Sequence, residues 1–275
     1  MKQVQLHYYA LGDGVVAFSS TRHGGCSTGN YASFNINRYC GDSEEHILQN
    51  RELLRRTLDI SDERLIMPHQ IHETKVARID EQFLRLAADE RQEVLEGVDA
   101  VMTNLNEVCV GVSTADCIPV LLYDAASHAV CAIHAGWRGT VKRIVEKAVK
   151  AMAQCYGTQP RHLTAQIGPG IHLDSFEVGD EVYEAFAREG FPMEQIARRY
   201  PCAASTGQRN AEKWHIDLPA CNRLQLVSAG VEEPGIQVSP VCTFQQSADY
   251  FSARRLGINS GRIFTGIILK ETRNA

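Results

Sequence analysis

Three residues of this chain share one local pattern, in which a Cys or His arrives at the end of an apolar stretch, beside a turn or a glycine. They are His72 in Met67-Pro-His69-Gln-Ile-His72, Cys117 in Ala115-Asp-Cys117, and His134 in Ile133-His134-Ala-Gly-Trp137-Arg138-Gly139. Catalytic zinc is commonly held by three nitrogen or sulfur ligands, with a fourth position left for water or substrate, so the trio has a suitable composition. A cysteine with two histidines nearby is equally the arrangement that activates a thiolate nucleophile. Taken singly, each is also the kind of residue that merely packs or hydrogen-bonds in a core. The segments are far apart in the chain, so only folding can unite them. Common zinc signatures do not occur: HExxH is missing, since His69-x-x-His72-Glu73 carries its elements in the wrong order, and the nucleobase-deaminase pairing of H-x-E with P-C-x-x-C is absent.

Other side chains can serve such a centre. Asp116, beside Cys117, can act as an acid/base group, orient a ligand, or simply form a turn; Glu177 can act as an acid/base group or sit in solvent. Arg22 and Arg138, each near glycine, offer forked donors to a phosphate, against the plainer reading of a surface ion pair. Arg254-Arg255 repeats the idea. Trp137 can line a pocket for a flat base or pack in the core. Gly168-Pro-Gly170 reads as a tight turn or as backbone brought close to a ligand. His69 can support His72 or be an ordinary histidine.

The elements that must position these groups are legible as apolar stretches. Val15–Ser19, 108–112, 120–123, 129–133, 165–167 and 263–269 read as strands, and Pro119 disfavours helix at Ile118. Asp42-x-x-Glu45 resembles a capping box opening a helix over 43–58, with Ile47, Leu54 and Leu58 on one face. A surface helix is expected over 81–96. Another is expected from a Thr140 cap through Ile144, Ala148, Val149 and Met152 to Gly157, with further helices at 180–188 and 217–228. Strands come in runs rather than alternating with helices, which predicts a layered α+β fold. Without repeats, charge blocks or Pro/Ser-rich linkers, the 275 residues read as a single domain.

Composition narrows the function classes. A formal charge of −5 gives no footprint for DNA or RNA, so no nucleic-acid partner is expected. No apolar run is long enough to span a bilayer, the start lacks the apolar core of a signal peptide, and nine scattered cysteines without CxxC read as free thiols, so no membrane association and a cytoplasmic location are expected.

The boxes STRHGG (20–25), PHQIH (68–72), VDAVMT (98–103), STADCIPVLLYD (113–124), HAGWRGT (134–140), IGPGI with FEVGDEV (167–171 and 176–182), and RRLG with GR (254–257 and 261–262) follow in order over nearly the whole chain. Together they resemble the YfiH/LACC1-type family, known as polyphenol oxidase or purine nucleoside phosphorylase proteins. The resemblance implies a mixed β-sandwich flanked by helices and a zinc held by His72, Cys117 and His134, with copper as the lesser alternative. It implies phosphorolysis of adenosine and inosine, with methylthioadenosine cleavage and adenosine deamination as further activities, and so purine nucleoside and phosphate as the small-molecule partners. Editing of a peptidoglycan-precursor amino acid, with zinc-bound water or Cys117 as nucleophile, is the alternative function. Copper-dependent phenol oxidation ranks last, because the ten histidines include no H-x-H pair. Where members often carry Gly after the first ligand and Cys in the later boxes, this chain has Glu73, Gly170 and Ser175-Phe176.

Overall fold

The computed structural model describes residues 3–201 and 212–271, and its architecture is mixed α+β, built around two large sheets. One sheet has five strands, in the spatial order Leu6–Tyr9, Val15–Ser20, Ile263–Leu269, Cys109–Thr114 and Leu65–Ile66. The other has six, ordered Ile236–Val238, Leu163–Ile167, Ile118–Asp124, Ala129–Ala135, Val98–Thr103 and Lys75–Ile79. Alternate residues of the two sheets meet in a shared core: Ala17, Val110, Val112 and Ile267 from the first pack with Val101, Leu121, Val130 and Ala132 from the second. The outer face of the six-stranded sheet buries Val120, Leu122, Cys131 and Ile133 against Ile144–Tyr156 and Leu218–Ser228. The outer face of the five-stranded sheet takes Leu54 and Leu58 of the helix Glu44–Leu58. A small third sheet pairs Glu177–Val178 with Glu212–Ile216 and Ala197–Pro201.

The expected strands and helices are present, with four instructive differences. Asp42 forms no capping box, because its carboxylate accepts from Ser27 Oγ at 2.6 Å and Asn35 Nδ2 at 2.9 Å, so the helix starts after Ser43. Residues 81–96 form two helices, Glu81–Arg85 and Ala88–Leu95, with Leu86 and Ala87 extended between them. Thr140 caps nothing: a short helix Trp137–Val141 precedes Ile144–Tyr156, with Arg143 left-handed at the junction. Pro119 lies inside a strand, near its start, where its missing N–H is tolerated and its carbonyl accepts from Gly168 N. The eight described cysteines are free thiols, and Cys202 lies outside the described residues. No described helix is long and apolar enough to cross a membrane.

Candidate metal centre

His134 is the sixth residue of the strand Ala129–Ala135 and is paired with Pro119 of its neighbour. Cys117 immediately precedes that neighbour, Ile118–Asp124, at the end of the turn that leaves Cys109–Thr114. His72 lies in the loop between Ile66 and Lys75 and adopts a left-handed φ of 65°. These three residues, and no other His, Cys, Asp or Glu group among the described residues, place one ligand atom each within 4.8 Å of one another. The two imidazoles meet edge to face with centroids 4.8 Å apart. Two nitrogens and one sulfur that converge and leave a coordination position open are a donor set suited to a tetrahedral, borderline-soft divalent metal.

One buried carboxylate organises two of the three. Asp99, fully buried, accepts from the backbone N–H of His72 (3.0 Å) through Oδ1 and from those of Ile71 (3.3 Å) and Glu73 (2.8 Å) through Oδ2. Oδ1 also accepts from His134 Nδ1 at 2.7 Å. The strained turn at His72 is therefore held by its neighbours' amides, and the His134 ring is left with Nε2 for a ligand. Sequence reasoning passed over Asp99; its signal was one charge among the apolar residues of Val98–Thr103, a strand buried throughout.

Charge distribution favours the ligating form of the thiol. Burial alone would push Cys117 up, but hydrogen bonds and charge from His134 and His72 bring it down to about 6. Burial pulls His134 down, yet the Cys117 thiolate and the Asp99 carboxylate outweigh it and raise the ring to about 9. Gly136 closes the back of the centre: a Cβ there would stand 2.8 Å from His72 Cδ2 and 3.0 Å from Cys117 Sγ. We expect Gly136→Ala to weaken metal binding by about 10-fold or more with little change in melting temperature, since its φ of −67° suits alanine; a chelator-competition titration measures it.

The centre opens into a cleft of about 870 Å³ whose walls include Tyr39, His69, Asp116, Trp137, Phe176 and Arg254. Asp116 lies there as expected beside Cys117, at a left-handed φ of 79°. Its Oδ1 accepts from Thr243 Oγ1 and its Oδ2 from Arg254 N, both at 2.7 Å, so the carboxylate ties three chain segments together. Glu177 is not among the cleft residues; its carbonyl receives both Nη atoms of Arg254 at 3.0 Å. Nor do the arginines expected to bind phosphate line the cleft. Arg22 donates to the carbonyls of Ala32 and Ser247 (2.7 Å each), Arg138 lies over the Trp137 ring at 4.3 Å, and Arg255 lies over Phe244 at 4.1 Å. The guanidiniums that do line it are Arg254 and Arg262. His69 is a cleft residue too, in a loop rather than a helix.

Comparison with known proteins gives a consistent picture. The family model described as multi-copper polyphenol oxidoreductase laccase matches residues 16–270. A purine nucleoside phosphorylase of Bacteroides thetaiotaomicron is 45% identical over 254 residues, covering 92% of this chain and 91% of that protein. Adenosine deaminase RL5, from an unknown prokaryotic organism, is 45% identical over 258 residues, covering 94% and 95%. Among solved structures, YlmD from Geobacillus stearothermophilus superposes with a TM-score of 0.83 at 30% identity, covering 96% of this chain and 94% of that one.

Proposed function

The chain belongs to the YfiH/LACC1-type family, whose model is described as multi-copper polyphenol oxidoreductase laccase, and from that premise we propose that it is a zinc-dependent purine nucleoside phosphorylase acting on inosine and adenosine. The observation that carries the reading is the convergence of His72, Cys117 and His134 at one end of a cleft large enough for a nucleoside. Relatives named for purine nucleoside chemistry support the substrate class. When bound, zinc supplies a Lewis acid that stabilises charge developing on an oxygen. Trp137 and Phe176 provide flat apolar faces in the cleft for the base. Arg254 provides the positive charge for phosphate in the place expected of its neighbour Arg255: its guanidinium spends two donors on the Glu177 carbonyl and has others left. Purified protein is expected to contain close to one zinc per chain and to release hypoxanthine from inosine only when phosphate is present. A zinc-loaded protein that releases no base in phosphate buffer sinks the proposal.

The relative named as an adenosine deaminase favours a second activity at the same centre, read in the same assay as inosine formed from adenosine without phosphate. Precursor hydrolysis with Cys117 as nucleophile draws support from the lowered thiol, and it differs in one respect: a metal-free thiolate mechanism survives chelation, whereas the proposed one does not. Oxidation of phenols with reduction of oxygen to water needs several coppers acting together, while the described residues offer one three-residue cluster. It remains last.

The protonation states set a second test. With Cys117 at about 6 and His134 at about 9, at pH 7.5 the thiol is already ionised while the imidazole carries a proton that a metal must displace. Zinc uptake is therefore expected to release at least about one proton at that pH, and more below pH 6, where the thiol is protonated as well. Between those values affinity falls about 10-fold per unit of acidification, and more steeply below. Calorimetry in buffers of different ionisation enthalpy counts these protons; no release at pH 7.5 contradicts the assignment.

A further inference from the structure

Resting on the phosphorolysis reading, we propose that His69 is the catalytic residue that hands a proton to the departing purine. The ring is fixed at one end and open at the other. Its Nδ1 is bonded to both carboxylate oxygens of Glu96, at 2.7 and 2.9 Å, and its backbone N–H donates to the Leu95 carbonyl at 3.1 Å. The Tyr39 ring stacks on it at 3.9 Å between centroids and 19° between planes. That leaves Nε2, which has no partner among the described residues, as the end that can exchange a proton. His69 and Tyr39 both line the cleft that holds the three ligand residues. A carboxylate on Nδ1 stabilises the imidazolium that donates from Nε2, which is how carboxylate–histidine pairs work in proton transfer.

The other titratable cleft residues are committed elsewhere. His72, Cys117 and His134 form the ligand set, and both oxygens of Asp116 accept hydrogen bonds. Burial raises Tyr39 and Cys40, which makes them poor proton donors near neutral pH. Arg254 donates to the Glu177 carbonyl, and Arg262 to the carbonyls of Ser260, Gly261 and Ile258. His69 is what remains.

In the step, an oxygen of hydrogen phosphate bonds to C1′ as the bond from C1′ to N9 breaks, and the electron pair leaves with the base. The Nε2 proton passes to N7, so the purine departs neutral. The attacking hydrogen phosphate gives its own proton to solvent, and the imidazole regains one from solvent.

The test compares leaving groups. In His69→Gln, zinc content is expected to stay at the wild-type level while inosine phosphorolysis falls about 100-fold or more, the usual range for loss of a general acid. Phosphorolysis of p-nitrophenyl riboside, whose phenolate leaves without protonation, is expected to fall far less. Glu96→Gln keeps the imidazole but removes its carboxylate, and should give the same pattern at smaller size. Equal losses on both substrates, or none on either, overturn the assignment while leaving phosphorolysis standing. A wild-type protein that cleaves neither substrate overturns the reading and this assignment with it.

Discussion

Cys117→Ala is expected to purify folded with less than about 0.1 zinc per chain, and to release base from inosine at least about 1,000-fold more slowly. The size follows from the geometry. The thiolate is one of three converging donors among the described residues, and it is the anionic one. Removing it leaves two imidazoles, with the His134 ring still hydrogen-bonded to Asp99. A loss of several kcal/mol of charge stabilisation corresponds to three or more powers of ten in rate. The fold should survive, because Cys117 sits in a turn at the edge of the cleft rather than in the apolar cores. Metal analysis, the inosine assay and a melting curve on the same preparation separate these effects. Full metal content in the variant would remove Cys117 from the ligand set.

Asp99→Asn should be almost as damaging to metal binding, although its side chain touches no substrate and barely changes in size. Asp99 accepts four hydrogen bonds with two oxygens, two on each. An asparagine amide must put its NH₂ where one of those oxygens was. At the Oδ2 position it confronts the N–H groups of Ile71 and Glu73, and the left-handed turn that aims His72 relaxes. At the Oδ1 position it confronts the His72 N–H and offers a proton to His134 Nδ1, which favours the tautomer with its proton on Nε2 and so blocks the ligand atom. Either orientation disables one ligand, so zinc affinity is expected to fall about 100-fold. Chelator competition reads this, and proton exchange at the His134 ring separates it from simple destabilisation. An affinity within a few-fold of wild type would show that Asp99 only supports the fold.

Much of this was readable before the fold was known, because local chemistry leaves marks in local sequence. Apolar runs such as Ala129-Val-Cys-Ala-Ile133 mark strands buried on both faces, and the structure buries every residue of Ala129–Ala135. The ordered boxes identified the family, and the α+β layering followed from strands arriving in runs. His72, Cys117 and His134 drew notice as a Cys and two His beside turns or glycines, and the family resemblance named them as candidate ligands. Where local rules compete with distant partners they misled: Asp42 looked like half of a capping box and is instead claimed by Ser27 and Asn35.

Sequence alone, then, marked the family, three candidate ligands and many of the core strands and helices, but not the strands Lys75–Ile79 and Val98–Thr103 or those of the small third sheet. Tertiary structure decided which other groups meet those ligands. Asp99 gains its role by lying under a loop 26 to 28 residues away and against His134, 35 residues away. His69 is bound to Glu96 from 27 residues off and stacked on Tyr39. Arg254, rather than Arg22, Arg138 or Arg255, reaches the cleft, since its main-chain N–H is tied to Asp116 across 138 residues. A side chain's type and neighbours in sequence limit what it can do, but burial and long-range hydrogen bonding choose among those options, and neither is written in any short stretch of chain.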